Sequence, residues 1–346
     1  MYTRPADNLT GVSLEQGWQV VEKIKPAPSA TGGHFSVGYL ARHNSGREGF
    51  LKALDFSAAF QEANSALKLQ AMLESYNFEC ALLEKCANRR LRRVAIPLSK
   101  GEVLPPTSMN PTEKVYYIIF EKAEGDIRKF HDAMISLDTA WCLRSLHHTA
   151  SGIRQLHSAH VAHQDLKPSN VLFFNINGSK ISDLGRSTDD EIPSTNDRLQ
   201  IPCDMSYAPP ELFYHVRCHS DFRFRKAIDL YLLGSLVFFH FLHVSALHML
   251  RHNINRLNLT MSGTFESDLP YLQQAFSDSL QTLRQAVTPL LGSSTDLLIS
   301  VVRELCNPDP IKRGNARRPS SSGQYGVERY ESQFDLLAKR AELNFP

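Results

Sequence analysis

From Leu230 to Leu250 the sequence runs for 21 residues without a formal charge. As one helix this run would measure ~30 Å. Two environments accept such an element: a bilayer, or the interior of a domain large enough to bury a helix on every side. The run contains Gly234, His240, His243 and His248 and follows Asp229 directly. The chain has 346 residues, which at ~100–200 residues per domain suggests about two structural units. Hydrophobic residues make up 42% and charged residues 21%, close to ordinary globular usage, which excludes a disordered chain, a collagen-like repeat and a coiled coil.

Thirty-eight lysines and arginines against 36 acids give a net charge of +2, so neither nucleic acid nor a membrane surface is expected as a partner. The six cysteines, at 80, 86, 142, 203, 218 and 306, form no CxxC pair and suit a reducing compartment. Residues 1–8 lack the apolar core of a signal peptide, and a cytoplasmic location is expected.

Local pattern divides the chain. Residues 19–56 look strand-like, with a Pro/Ser/Thr/Gly interruption at 26–33 and a hairpin turn at 44–49. Helical periodicity dominates from about Ala58 to Cys86, residues 97–111 are loop-rich, and residues 115–120 form a short buried strand. Beyond Gly125 the pattern is mostly helical, ending in an amphipathic helix from Glu328 to Leu343. The expected class is α+β, with residues 1–18 as an N-terminal extension and 19–120 as a small strand-rich lobe. A joining segment at 121–126 leads to a larger, mostly helical lobe at 127–318, then a flexible segment and terminal helix at 319–346. Two lobes favour a cleft, where ligands usually bind.

The chemistry concentrates in His163-Gln-Asp-Leu-Lys-Pro-Ser-Asn170, followed thirteen residues later by Asp183-Leu-Gly185. Phosphoryl transfer from a nucleotide needs a carboxylate to orient the incoming hydroxyl, a cation on the transferred phosphate and hard oxygen ligands for magnesium. Asp165, Lys167, Asn170 and Asp183 supply these groups in that order. The arrangement resembles the catalytic and metal-binding loops of eukaryotic-type protein kinases, and Lys167-Pro168 resembles their serine/threonine branch.

The resemblance runs from about residue 19 to 318 and implies a two-lobed kinase-like fold that uses ATP and Mg²⁺ on a protein substrate with a Ser or Thr acceptor. It implies that Lys52 meets the α- and β-phosphates and pairs with a glutamate on the next helix. Glu79 fits best, with Glu74 and Glu84 as alternatives, and the gap of 27 residues to Glu79 implies an insertion. In Thr31-Gly-Gly-His-Phe-Ser-Val-Gly38, Gly33 takes the middle position of the family's glycine loop and Phe35 its aromatic one, while Thr31 and Ser36 replace the outer glycines. Phe120 would stand behind adenine, the Glu121 carbonyl and Ala123 amide would meet its edge, and Asp126 would reach the ribose. Tyr207-Ala-Pro-Pro-Glu211 resembles the motif closing the activation segment, with Arg313 as the buried partner of Glu211. Asp229 resembles the residue that holds the catalytic loop through its backbone amides, which explains the apolar run without a bilayer.

Gln164 stands where many family members carry the arginine that gathers an activation-segment phosphate. Phosphorylation of Ser187, Thr188, Ser194 or Thr195 is therefore not expected to be required. Leu184, in place of phenylalanine, should only pack. The acids at 189–191 and Asp197 form a solvated loop or favour basic peptides, and the Ser/Arg stretch 317–323 reads as a linker. None of the fourteen histidines is assigned to a metal, because 147–148 and 240–248 lack a second ligand cluster in sequence. Two other readings remain: a small-molecule phosphotransferase of the aminoglycoside type, and a nucleotide-binding pseudokinase serving as an interaction module.

Overall fold

The computed structural model describes residues 4–25, 36–54, 56, 59, 64–106, 108, 113–216, 221–256, 263–315, 317 and 323–343. The chain divides into two compact units, Met1–Arg90 with Ala95–Glu124, and Leu91–Val94 with Gly125–Pro346. The first unit is strand-rich and the second mostly helical, an α+β arrangement.

The smaller unit is built on an antiparallel sheet of order β1-β2-β3-β5-β4. Its strands are β1 (Trp18–Lys23), β2 (Ser36–His43), β3 (Glu48–Leu54), β4 (Pro97–Val103) and β5 (Val115–Glu121). Alternation sends Leu51 and Ala53 of β3 into the core with Tyr117 and Ile119 of β5, and leaves Lys52 on the opposite face, in register with Gly38 and Ile118. The N-terminal extension packs into this core. Ala6, Leu9 and Val12 are buried, and the Ala6 carbonyl accepts the Tyr39 hydroxyl at 2.7 Å.

Strand β4 corrects the loop expected at 97–111. Pro97-Leu-Ser-Lys-Gly does not alternate cleanly, and pairing with β5 imposes the extended backbone. Gly101 is required there, since a Cβ would sit 2.7 Å from the Tyr117 hydroxyl. Helix α1 (Ser65–Asn88) is capped by Asn64, whose side chain accepts the Leu67 amide at 3.3 Å. The helix therefore starts later than Ala58 in the described residues and runs on to Asn88.

The larger unit opens with β6 (Gly125–Asp126), α2 (Ile127–Ala133), α3 (Thr139–Ser158) and β7 (Val161–Ala162). Then come β8 (Val171–Phe174), β9 (Gly178–Ile181) and β10 (Thr188–Asp189). The sheets are β6-β8-β9 and β10-β7, all pairings antiparallel. Helices α4 (Phe222–Leu242), α5 (Ala246–Arg256), α6 (Phe265–Leu291), α7 (Thr295–Leu305) and α8 (Glu328–Glu342) complete it. Every residue of α4 from Ala227 to Phe241 is buried, so its all-round apolarity is that of a core helix. Gly234 lets α7 approach, since a Cβ there would meet Cys306 Sγ at 2.4 Å.

The uncharged run is not one helix. His243 closes α4 in the left-handed conformation, with its amide on the Phe239 carbonyl at 2.9 Å, and Ser245 Oγ accepts the His248 amide at the start of α5. The two axes bend by 75°, and among the described residues no single helix is long and apolar enough to cross a membrane. The terminal helix α8 belongs to this unit. Arg144 of α3 pairs with Asp335 and Glu342, and Glu331 accepts from Ser151 and Arg154.

Candidate active site

In the larger unit the loop after β7 is hung from the buried helix. Asp229, fully buried in α4, accepts the His163 amide at 2.8 Å, the Gln164 amide at 2.7 Å and His157 Nε2 at 2.8 Å. Charge-assisted bonds of this kind fix a loop whose backbone is otherwise strained. Gln164 lies in the left-handed region at φ 67°, and its side-chain amide donates to the Arg225 carbonyl at 3.1 Å. The residue that replaces the family's arginine is thus buried and structural.

That frame presents Asp165. Its Oδ1 accepts the Asp204 amide at 2.7 Å, and its Oδ2 lies 3.3 Å from Lys167 Nζ. Burial pushes the Asp165 carboxyl above its ordinary range, and Lys167 opposes the shift. Lys167 also donates to Asp204 Oδ2 at 3.1 Å. Burial alone would raise the Asp204 carboxyl, but hydrogen bonds from Ser206 and Lys167 outweigh it and hold it low.

Asn170 donates through Nδ2 to the Asp165 carbonyl at 2.8 Å, while its own carbonyl accepts the Ser182 amide at 2.9 Å. The second bond, with the Val171–Ile181 pairing, draws the β9 end toward the catalytic loop just before Asp183. Asp183 occupies the left-handed region at φ 61°, and Leu184 after it is buried, as expected of a packing residue. Asn170 and Asp183 carry the hard oxygen donors that magnesium takes, so the donor set fits that ion.

The activation segment ends on a second buried anchor. Arg313 clamps Glu211 through two bonds of 2.7 and 2.8 Å and also donates to the Asn307 and Ala227 carbonyls. In the smaller unit, Lys52 donates to both oxygens of Glu79, at 3.0 and 3.2 Å. The alternatives are engaged elsewhere: Glu74 accepts from Gln70, and Glu84 pairs with Lys100.

These separate features converge on one comparison. A sequence model of the protein kinase domain matches residues 33–321. The chain belongs to the protein kinase family. Similar proteins include mitogen-activated protein kinase 6 of Arabidopsis thaliana, 27% identical over 220 residues, covering 61% of this chain and 53% of that one. Mitogen-activated protein kinase 4a of Physcomitrium patens is 28% identical over 222 residues, covering 61% and 56%. The hormonally up-regulated neu tumor-associated kinase of Mus musculus is 26% identical over 215 residues, covering 60% and 26%. This chain thus spans about half the length of the mitogen-activated relatives and a quarter of the last.

The remaining sites expected of a kinase domain are placed as follows. Gly33 and Phe35 lie outside the described residues. Phe120 and Glu121 end β5, in register with Phe50 and Gly49, and Ala123 follows that strand. Asp126 caps α2, accepting the Arg128 amide at 2.9 Å and pairing with the Arg128 guanidinium at 2.8 Å, so a ribose hydroxyl would compete with both. Sequence reasoning missed Asp204. The available signal was an acid seven residues before Glu211 in an otherwise weakly polar stretch. It also missed His157, which has no motif of its own, and Arg225, which pairs with Asp197 at 2.9 Å.

Proposed function

We propose that this kinase domain is an ATP- and magnesium-dependent protein kinase that phosphorylates serine or threonine hydroxyls. The observation that carries this reading is the Asp165 carboxylate. It is oriented by the Asp204 amide and Lys167 but not saturated by them, which suits a group that accepts a proton from an incoming alcohol. In this reading Asp165 takes the hydroxyl proton as the oxygen attacks the γ-phosphorus, and Lys167 steadies the charge on the transferred group. Lys52, held by Glu79, binds the α- and β-phosphates. Magnesium held by Asn170 and Asp183 would offset the phosphate charge.

The buried Glu211–Arg313 clamp supports a protein acceptor over a small molecule, because it fixes the end of the activation segment, where a peptide would be received. The test is incubation with labelled ATP and Mg²⁺ and a peptide mixture holding serine, threonine or tyrosine acceptors. Wild type is compared with Asp165→Asn and Asp183→Ala. Label on serine and threonine peptides, lost in both variants, is the expected result. Equal incorporation in all three proteins would refute the catalytic assignment, and label on tyrosine alone would refute the acceptor class.

A further inference from the structure

Three helices of the larger unit bring together side chains for which the phosphoryl-transfer reading has no use. His131 lies on α2, Cys142 in the first turn of α3 and His240 in the last turn of α4. His131 Nε2 stands 2.8 Å from His240 Nδ1 and 3.9 Å from Cys142 Sγ, and the three donor atoms lie within 4.8 Å of one another. All three residues are buried, beside the rings of Trp141 and Phe239. Two imidazoles share a single proton between facing nitrogens, and a thiol adds only a weak contact.

We propose that His131, Cys142 and His240 bind a zinc-class divalent cation that staples α2, α3 and α4 together, with His243 as the fourth ligand. The donor set selects the ion. Two imidazoles and a thiol with no carboxylate suit a borderline-soft cation and not magnesium or calcium. His243 is exposed at the end of α4, its ring 5.2 Å from that of His131 and perpendicular to it, so it stands where an ion would enter.

The three buried donors need modest adjustment, and the His243 ring, which lies outside that group, turns in to join them. Two nitrogens on a tetrahedral zinc stand ~3.3 Å apart and a nitrogen and a thiolate sulfur ~3.6 Å, so the two rings part by about half an ångström and the sulfur closes on His131 by a few tenths and moves in from within 4.8 Å of His240. Burial keeps both imidazoles neutral, so one facing nitrogen offers its lone pair at once and the other does so when its proton moves to the far nitrogen of the same ring. Binding replaces the thiol proton: Cys–SH and M²⁺ give a metal-bound thiolate and a released proton. No sequence motif announces the site, because its ligands come from positions 131, 142 and 240.

The test uses the untagged full chain, stripped with chelator and titrated with Co²⁺. One equivalent should bind, with a near-ultraviolet thiolate-to-cobalt charge-transfer band and visible bands of tetrahedral intensity. Zn²⁺ should displace the Co²⁺ and raise Tm in proportion to the logarithm of its free concentration. Cys142→Ala should lose the charge-transfer band with an unchanged far-ultraviolet spectrum, and His243→Asn should weaken binding about tenfold or more. X-ray absorption on the zinc-loaded wild type should find one sulfur and three nitrogens, a measurement that does not depend on any variant folding. The proposal is overturned if wild type gives no charge-transfer band, if the band survives in Cys142→Ala, or if the zinc shell contains no sulfur. These outcomes are independent of whether the chain phosphorylates anything.

Discussion

Each unit sets a buried glutamate against a cation, Glu211 on Arg313 and Glu79 on Lys52, and the two pairs are built for different tasks. In the larger unit Arg313 is fully buried, makes both bonds to a buried Glu211, and gives further bonds to two carbonyls while its guanidinium lies over the Tyr231 ring. In the smaller unit Lys52 has a single flexible ammonium on Glu79 and keeps 21% of its side chain exposed. An arginine fork whose three nitrogens all donate is a fixture, whereas an ammonium at the edge of solvent can take a second anion without leaving the first. The same contrast separates two aspartates of the larger unit, Asp229 of α4 and Asp165 of the loop it holds. Asp229 accepts two amides and an imidazole at short range, while Asp165 has one short bond and longer contacts at 3.3 Å to Lys167 and 3.4 Å to Asn170. Saturation marks the groups that hold, and the spare acceptor capacity of Asp165 is what the proposed function asks of a group placed to react.

The sharpest break of this contrast is Asp165→Asn. It should lower kcat/KM by ~10²–10⁴-fold, the usual contribution of a positioned general base. The pH profile gives the sign. Because burial raises the Asp165 carboxyl, the base form is lost as pH falls through a value above the ordinary ~3.9, and the acid limb of kcat/KM should lie correspondingly high. Asparagine should abolish that limb. A carboxyl with a raised folded-state pKa contributes stability below its unfolded pKa and loses it as pH rises through the folded one. Removing the charge should therefore leave Tm at neutral pH unlowered, and a clear fall in Tm would show that Asp165 is a fixture after all.

Next in size is Arg313→Met. It strands the Glu211 carboxylate in the core and should cost ~3–5 kcal/mol in denaturant unfolding, while Glu211→Leu with Arg313→Met should recover much of the loss. A smaller effect on stability is expected of Glu79→Gln, about 1 kcal/mol or less, because Lys52 keeps 21% of its side chain exposed and glutamine preserves the size of the glutamate. Its signature should be kinetic, a higher KM for ATP at nearly constant Tm. Equal stability losses for the Glu79 and Arg313 variants would erase the distinction between the pairs.

What the sequence made legible follows the same division. The loop at 163–170, Asp183, Asp229 and the Glu211–Arg313 partners could be named because their chemistry is carried by short ordered patterns. Glu79 could be preferred over Glu74 and Glu84 only on register, and the bond to Lys52 decides it. Features set by distant packing were not legible. Strand β4 exists because β5 offers it a partner, and the apolar run breaks at 243–245 because His243 and Ser245 terminate two helices where composition shows none. Asp204 acts through a residue 39 positions away.

The activation segment sharpens the contrast at its weakest point, since the expected effect there is close to none. Ser187 and Thr188 are buried, and the Thr188 hydroxyl has no hydrogen-bond partner among the described residues, so neither is presented for modification. The segment is ordered by groups already on the chain. Asn196 donates to the Gly185 and Ser187 carbonyls at 3.0 and 2.9 Å, and the Asp197 carboxylate accepts the Ser194 amide at 2.7 Å while pairing with Arg225. Asp197 thus sets a negative charge against an arginine of α4, not the neutral Gln164. Changing Ser187, Thr188, Ser194 and Thr195 together to alanine should hold initial rates within about twofold of wild type. Asp197→Asn, which keeps the size and removes the charge, should lower them by about tenfold, equivalent to ~1.4 kcal/mol. The reverse ranking, a collapse in the alanine variant with Asp197→Asn unaffected, would mean that the segment waits for a phosphate and that Asp197–Arg225 is incidental.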